Sequence, residues 1–332
     1  MDKKLGGAMV LSVVVPVYNE QEVLPEFHRR LSGVLDSLPI VAEIVYVNDG
    51  SRDLTLEQLR RLKGLDGRVT LIDLSRNFGK EIAMTAGLDH AMGEAVVIID
   101  ADLQDPPELI PRLLDEWKQG HDVVYAKRSS RAGETSLKKS SAYLFYRLIQ
   151  GVSRVSIPED TGDFRLLSRR ALDVLRKVRE QHRFMKGLFA WIGFSQKAVI
   201  YNRDERFAGE TKWNYWKLWN FAIEGITSFT IAPLKIATYS GLAMAVGAFL
   251  YAGVIVFKTL VYGNPVAGYP SLMVAVLFLG GVQLLSIGIM GEYVGRMFDE
   301  TKNRPLYVLN AYEPTLIGNQ DLLNASKNRQ SD

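Results

Sequence analysis

Short, mostly apolar segments recur along the first part of the chain, and longer amphipathic stretches separate them. The segment at 96–99 consists only of valine and isoleucine, which is typical of a strand buried on both faces of a parallel sheet. Strands that alternate with helices predict an α/β domain with a mostly parallel, doubly wound sheet. The predicted strands lie at 10–15, 43–47, 69–74, 96–99 and 122–126.

Polar residues follow the ends of these segments. In a parallel sheet with right-handed crossovers, the carboxyl ends of the strands meet at one edge. We therefore expect Tyr18, Asp49, Lys80 and Asp102 to lie close together, although they are far apart in the sequence. Open α/β sheets bind their ligands at this edge, so it is the predicted site.

Two acidic residues, Asp100 and Asp102, directly follow the central segment. Carboxylates this close repel each other unless a cation lies between them or one is protonated. Oxygen ligands favour Mg²⁺ or Mn²⁺, and such an ion, shared with a diphosphate, stabilises a departing phosphate. A solvated surface turn is the alternative, and an Asp-x-Asp pattern alone does not decide between them.

The charge pattern changes after residue 236, because Lys258 is the only charged residue between 237 and 291. The uncharged stretch at 237–257 would span about 30 Å as a helix, the thickness of a bilayer core. After a Gly-Asn-Pro break a second apolar segment follows. The pattern predicts transmembrane helices at about 235–261 and 270–292, the alternative being two buried helices of a soluble protein.

Basic residues flank this apolar pair at Lys235 and Arg296, whereas the connecting loop at 262–269 is uncharged. The positive-inside rule then predicts an inner (plasma) membrane protein with its globular domain and both termini in the cytoplasm. Three tryptophans mark residues 213–233 as an amphipathic helix in the membrane interface, or else a helix of the soluble core. The expected regions are a globular domain at 1–212, the interfacial stretch at 213–233, the transmembrane pair at 234–297 and a cytoplasmic tail at 298–332.

Composition excludes several other classes of protein. The net charge of +3 does not indicate a nucleic-acid partner, and the lack of cysteine excludes disulfides and thiolate metal sites. The first seven residues lack the long apolar run of a signal peptide. A dinucleotide-dependent dehydrogenase is disfavoured, because no Gly-x-Gly-x-x-Gly follows the first predicted strand.

Three segments resemble a known enzyme family: Val-Pro-Val-Tyr-Asn-Glu at 15–20, Asn-Asp-Gly-Ser at 48–51 and Asp-Ala-Asp-Leu-Gln-Asp-Pro-Pro-Glu at 100–108. The chain resembles inverting glycosyltransferases of the GT-A fold, family 2. Within it, the chain is similar to the polyprenyl-phosphate glycosyltransferases, the group of dolichol-phosphate mannose synthase and bactoprenol glucosyltransferase. Gly-Glu-Thr-Lys at 209–212 and Gly-Glu-Tyr-Val-Gly-Arg at 291–296 resemble the bacterial membrane-anchored branch. The likeness covers residues 10 to 310.

The resemblance implies a set of site residues. Asp102 is the expected direct ligand of Mg²⁺ or Mn²⁺, with Asp100 and Gln104 as the other metal residues. Asp163 matches the general-base position, although it could instead orient the acceptor or the sugar. Donor binding is implied for Pro16, Tyr18, Glu20, Asp49, Lys80, Asp100 and Gln104, and binding of the lipid phosphate for Arg128, Arg206, Lys212 and, as a further candidate, Lys139. A solvated cationic face is the alternative for the basic residues.

The resemblance predicts inverting transfer of one sugar from a nucleotide donor to a polyprenyl phosphate at the cytoplasmic membrane face. UDP-glucose is the expected donor, and users of GDP-mannose and UDP-aminoarabinose share the motifs. A processive polysaccharide synthase is disfavoured, because the chain has no Gln-x-x-Arg-Trp motif and too few apolar segments for a pore. A non-catalytic membrane scaffold is disfavoured, because it would not need this set of charged residues. Two membrane helices per chain are compatible with a homo-oligomer.

Overall fold

The computed structural model describes residues 10–128, 161–201, 232–262 and 268–316. Its strands are β1 (Val10–Val17), β2 (Val41–Asn48), β3 (Val69–Leu74), β4 (Ala95–Ile98), β5 (Val123–Arg128), β6 (Thr161–Ser168), β7 (Gln196–Tyr201) and β8 (Leu309–Glu313). Its helices are α1 (Leu24–Asp36), α2 (Thr55–Leu65), α3 (Lys80–His90), α4 (Ile110–Lys118), α5 (Arg169–Leu175), α6 (Met185–Trp191), α7 (Ala232–Tyr262) and α8 (Tyr269–Thr301), with a 3₁₀ turn at Pro107–Leu109.

The strands form one mixed sheet in the order β7-β5-β6-β4-β1-β2-β3-β8. Its centre, β4-β1-β2-β3, is parallel, and β5 is parallel to β7, which confirms the predicted mostly parallel α/β architecture. β6 is inserted antiparallel between β4 and β5. Helices cover both faces, and the apolar side chains form one buried cluster on each.

Helix α3 packs unusually close to the centre of the sheet. A Cβ atom on Gly87 would lie 2.3 Å from Cγ1 of Val14 and 3.0 Å from Cγ2 of Val47. These distances are shorter than van der Waals contact, so only glycine permits the observed packing. The close approach brings Lys80, the first residue of the helix, to the carboxyl edge of the sheet.

The two long helices α7 and α8 contact each other and expose large apolar side chains. Among the described residues, one stretch, Phe278–Thr301, is long and apolar enough to cross a bilayer, and none of it is buried. α8 continues past the expected end near 292 to Thr301, and Glu292 and Arg296 form an i,i+4 pair along this extension. It ends where Asn303 adopts a left-handed conformation, with φ at 46°.

The region expected as a C-terminal tail supplies the eighth strand. β8 pairs antiparallel with β3, and Ser75 N–H donates to Val308 O at 2.9 Å. Asp73, 3% exposed, accepts the side-chain amides of Asn310 and Asn48, each at 2.7 Å. The pairing covers what would otherwise be an open sheet edge. The predicted interfacial helix at 213–233 lies almost wholly outside the described residues.

The packing of α3 gives a first prediction. Gly87→Ala forces a methyl group against Val14 and Val47, two β-branched side chains that cannot move away within the sheet. We expect a loss of about 1–3 kcal/mol in unfolding free energy, measured by thermal unfolding of the purified protein.

Gly33→Ala is the matched control, because it too lies in a helix but has no atom within 4 Å of the added Cβ. The control variant should be unchanged or gain up to about 1 kcal/mol from helix propensity. Equal unfolding temperatures for the two variants would contradict the close packing of α3.

Candidate active site

Asp49 follows β2 and shapes the loop that leads into α3. Its Oδ1 accepts the backbone N–H of Phe78 at 2.7 Å, and its Oδ2 accepts that of Gly79 at 3.0 Å. Burial raises the pKa of the Asp49 carboxyl, and the two N–H donors act against this shift. Gly79 has a φ of 97°, a conformation that favours glycine. The carboxylate therefore fixes the turn from which Lys80 projects.

Lys80 joins two of the predicted site carboxylates. Its ammonium donates to Asp100 Oδ2 at 2.7 Å and also to Asp163 Oδ2. The three residues come from α3, from the end of β4 and from β6, and they are far apart in the sequence. The edge of the sheet thus brings the predicted donor, metal and catalytic positions into one ion-paired cluster.

The charges within this cluster set its protonation. Burial would raise the pKa of Asp163, but Lys80, with Lys186 and Arg165 nearby, lowers it below the ordinary value. Burial raises the pKa of Asp100, and the charges of Asp163 and Asp102 add to this against Lys80. Asp163 is consequently the more firmly ionised of the two carboxylates.

One oxygen of the Asp163 carboxylate is available to accept a hydrogen bond. The residue is 9% exposed, and within the described part of the chain its buried Oδ1 has no hydrogen-bond partner. A buried acceptor is costly to leave unsatisfied, so this atom is a strong position for a donor from a substrate or a water molecule.

The Asp100–Asp102 turn tests the predicted metal site. Asp102 Oδ1 accepts the N–H of Gln104 at 3.1 Å, and Leu103 between them has a φ of 58°. Within the described ranges, no three His, Asp or Glu side chains gather around one point. Asp100, Asp102 and Gln104 remain the predicted ligands, a set of two carboxylates and one amide. This set fits Mg²⁺ or Mn²⁺, which are commonly bound by one or two carboxylates together with phosphates and water.

The remaining predicted donor residues lie at the same edge. Pro16 is buried at the end of β1, and Tyr18 beyond it is half-buried. The backbone N–H of Glu20 donates to Thr55 Oγ1 at 2.9 Å, which ties the segment after β1 to α2. These contacts support the expected convergence of the strand ends.

The predicted acceptor cations are only partly within the described structure. Arg128 ends β5, and its Nη2 lies 3.7 Å from the position of a Cβ on Gly162, next to Asp163. Lys139, Arg206 and Lys212 lie outside the described residues. Of the four basic residues, the structure therefore brings Arg128 beside the site.

Sequence reasoning missed two charged residues of this site. Glu81 Oε2 accepts the N–H of Met185 at 3.3 Å and so caps α6. Arg165 packs its guanidinium 3.9 Å from the ring centroid of Phe189 and donates to Gly162 O at 2.9 Å. The alternation of side chains along a strand could have paired Arg165 with Asp163, two residues earlier. The contact of Glu81 with α6 depends on tertiary packing and leaves no signal in the sequence.

Comparison with known proteins identifies the family. The sequence profile of glycosyl transferase family 2 matches residues 12–176, and that of the GtrB C-terminal hairpin matches residues 232–297. An uncharacterized glycosyltransferase of Synechocystis sp. is 52% identical over 300 residues, covering 90% of this chain and 94% of the relative. The chain belongs to glycosyltransferase family 2.

Other similar proteins differ in how much they share with this glycosyltransferase. A prophage-derived bactoprenol glucosyl transferase of Shigella flexneri is 49% identical over 301 residues, covering 91% of this chain and 97% of the relative. A crystal structure of glucosyl-3-phosphoglycerate synthase from Mycobacterium tuberculosis is 19% identical, with a TM-score of 0.44 over 66% of this chain and 78% of that one. The first likeness includes both the catalytic domain and the hairpin.

The protonation of Glu81 gives a second prediction. Burial first, and then the negative charge of Asp163, raise its pKa from 4.5 to about 7. The folded glycosyltransferase therefore holds this proton more tightly than the unfolded chain does, and the resulting stability is lost as pH rises from 4.5 through 7. Glutamine cannot ionise. The unfolding temperature of the wild type minus that of Glu81→Gln should therefore decrease as the pH rises from 5 to 8.

Glu26→Gln is the control for this experiment. The hydrogen bond from Arg29 lowers the pKa of Glu26, so this half-exposed carboxyl titrates below the tested range. The difference between wild type and Glu26→Gln should stay constant from pH 5 to pH 8. A constant difference for Glu81→Gln as well would contradict the raised pKa.

Proposed function

We propose that this glycosyltransferase transfers one glucose from UDP-glucose to a polyprenyl phosphate, with inversion at the anomeric carbon, at the cytoplasmic face of the membrane. The observation that carries the proposal is the 49% identity to a bactoprenol glucosyl transferase over nearly the whole length of that protein. The exposed apolar surfaces of α7 and α8 support a membrane location, because such surfaces require cover from water.

The donor is assigned to the carboxyl edge of β1, β2 and β4. Tyr18 packs against the base, while Asp49 keeps the loop before α3 in the shape that the donor meets. A divalent ion held by Asp100, Asp102 and Gln104 would supply positive charge to the departing diphosphate. Lys80 adds a cation from the other side of the cluster, where it contacts Asp100.

The acceptor phosphate is assigned to Arg128, together with Arg206, Lys212 and Lys139 from the segments outside the described structure. The planar fork of an arginine suits two oxygens of a phosphate. A lipid phosphate loses its second proton near pH 6, so at neutral pH its oxygen is already a competent nucleophile. The reaction therefore needs little help from a base.

This chemistry favours an orienting role for Asp163. A carboxyl whose pKa is lowered by Lys80 is a weak base, and weak bases accept protons poorly in a transition state. Its ionised carboxylate instead holds the Lys80 ammonium, while its second oxygen is available to a hydroxyl of the sugar. We assign to Asp163 the role of aligning the Lys80 ammonium and the sugar.

The reaction is tested with the purified full-length protein, Mg²⁺, a short polyprenyl phosphate and labelled UDP-glucose, GDP-mannose or UDP-aminoarabinose in parallel. We expect a single lipid-linked glucose from UDP-glucose, loss of product with EDTA, and a β-linked product by NMR. A ladder of longer products would indicate a processive synthase. A folded protein that yields no lipid-linked sugar from any of the donors would overturn the proposal.

The role of Asp163 gives a third prediction. Asp163→Asn keeps the shape of the side chain but removes the charge that aligns Lys80. We expect kcat to fall roughly a hundredfold while the dissociation constant for UDP-glucose changes by less than about threefold, measured by steady-state kinetics and calorimetry.

Asp115→Asn serves as the control, because this carboxylate is 69% exposed on α4 and should leave both constants unchanged. An equal loss of donor affinity and turnover in Asp163→Asn would assign Asp163 to donor binding instead.

A further inference from the structure

A buried polar cluster lies directly behind Arg128. Arg128 and Tyr201 are register partners on the parallel strands β5 and β7, each at the end of its strand. Tyr201 is 6% exposed, and its hydroxyl donates to Oδ1 of Asp105, a carboxylate that is 2% exposed. Asp105 belongs to the turn that also carries the predicted metal residues, so the cluster joins two parts of the site.

The Tyr201 hydroxyl connects Asp105 with Arg128. Burial raises the pKa of the phenol, the charge of Asp105 adds to this, and an interaction with Arg128 acts in the opposite direction. The hydroxyl therefore stays protonated and donates its hydrogen to Asp105, which leaves the lone pairs of its oxygen available to the guanidinium. This arrangement restricts where the Arg128 side chain can point.

The same cluster packs against Gly162, the residue that precedes Asp163. A Cβ on Gly162 would lie 3.5 Å from Asp105 Oδ2 and 3.7 Å from Arg128 Nη2, so both groups pack against this residue. Arg128 Nε is buried and, within the described chain, has no hydrogen-bond partner. The guanidinium thus lies beside Gly162 on a strand whose register partner is Tyr201, and its Nε donor is unused among the described residues.

We infer that Tyr201 and Asp105 are positioning residues that orient the Arg128 guanidinium toward the phosphate of the acceptor, an inference that rests on the function proposed above. A free arginine side chain has many rotamers, and ordering it on binding weakens affinity. Tyr201 and Asp105 order the Arg128 side chain when the protein folds, so this conformational entropy is not lost on binding. Neither residue needs to touch either substrate, so their loss should affect the acceptor and leave the donor site intact.

The chain contains a matched control for this cluster. Tyr307, Asp89 and Arg179 repeat the same three residue types, with Tyr307 Oη to Asp89 Oδ2 at 2.9 Å and Arg179 Nη1 to Asp89 Oδ2 at 2.8 Å. Asp89 lies near the C-terminal end of α3, about 13 Å along the helix from Lys80. Removal of the Tyr307 hydroxyl therefore disturbs a triad of the same residue types away from the site.

Tyr201→Phe gives the fourth prediction. We expect the KM for a short polyprenyl phosphate to rise about tenfold, a change equivalent to the loss of one charge-assisted hydrogen bond, with the KM for UDP-glucose within twofold of wild type. Tyr307→Phe should leave both constants unchanged. An unchanged acceptor KM in Tyr201→Phe, or equal increases in both KM values, would overturn the inference.

A double-mutant cycle separates positioning from general weakening of the fold. Arg128→Lys alone should weaken acceptor binding, and adding Tyr201→Phe should weaken it little further, because the hydroxyl acts through the guanidinium. Additive losses would contradict the assignment. Asp105→Asn, which keeps the size of the side chain, should resemble Tyr201→Phe in this cycle.

Direct titration with the short polyprenyl phosphate, without donor, distinguishes this inference from the proposed function. Wild type that binds the lipid phosphate without turnover would overturn the function, and a normal affinity in Tyr201→Phe would overturn the inference. Wild type that does not bind the lipid phosphate would overturn both.

Discussion

The ion pairs of Lys80 are the interaction on which the site depends. One ammonium holds the carboxylates of Asp100 and Asp163, which would otherwise repel each other in a half-buried space. Removing one charged residue from such a cluster destabilises the protein strongly, because the charge of its former partner is left uncompensated. The same contacts connect the turn after β4, which we assign to the donor, with β6, which carries Asp163.

The scaffold determines where that ammonium lies. Gly87 lets α3 approach β1 and β2 closely, and the Asp49 carboxylate holds the backbone just before the helix. Because Lys80 is the first residue of α3, the Asp49 hydrogen bonds act directly before it, and the close contact at Gly87 acts about two turns later in the same helix. The start of the helix that carries the Lys80 cation is thus set by backbone packing and by hydrogen bonds to the main chain.

The periodicity of the sequence was sufficient to predict the sheet, and parallel topology led to the prediction that Tyr18, Asp49, Lys80 and Asp102 converge at one edge. The described contacts join Asp49 to the loop before Lys80, and Lys80 to Asp100. The periodicity was not sufficient for β8, whose pairing with β3 relies on backbone groups and on the amide of Asn310. Nor did it indicate that Asp49 binds the backbone of its own chain, or that Glu81 caps α6. Such contacts depend on how loops meet in space, for which hydrophobic patterns carry no information.

The end of α8 is connected to the same cluster through described contacts. Glu300 Oε1 accepts the backbone N–H of Gln181 at 2.7 Å, and His182 lies 3.1 Å from Asp299. The segment at 181–182 leads into α6, the helix that Glu81 caps beside Lys80. Because β8 follows α8 and pairs with β3, the chain contacts the globular domain a second time just after the end of the long apolar helix. Both attachments lie at the C-terminal end of α8, so the described contacts join that end of the helix to the domain that carries the site.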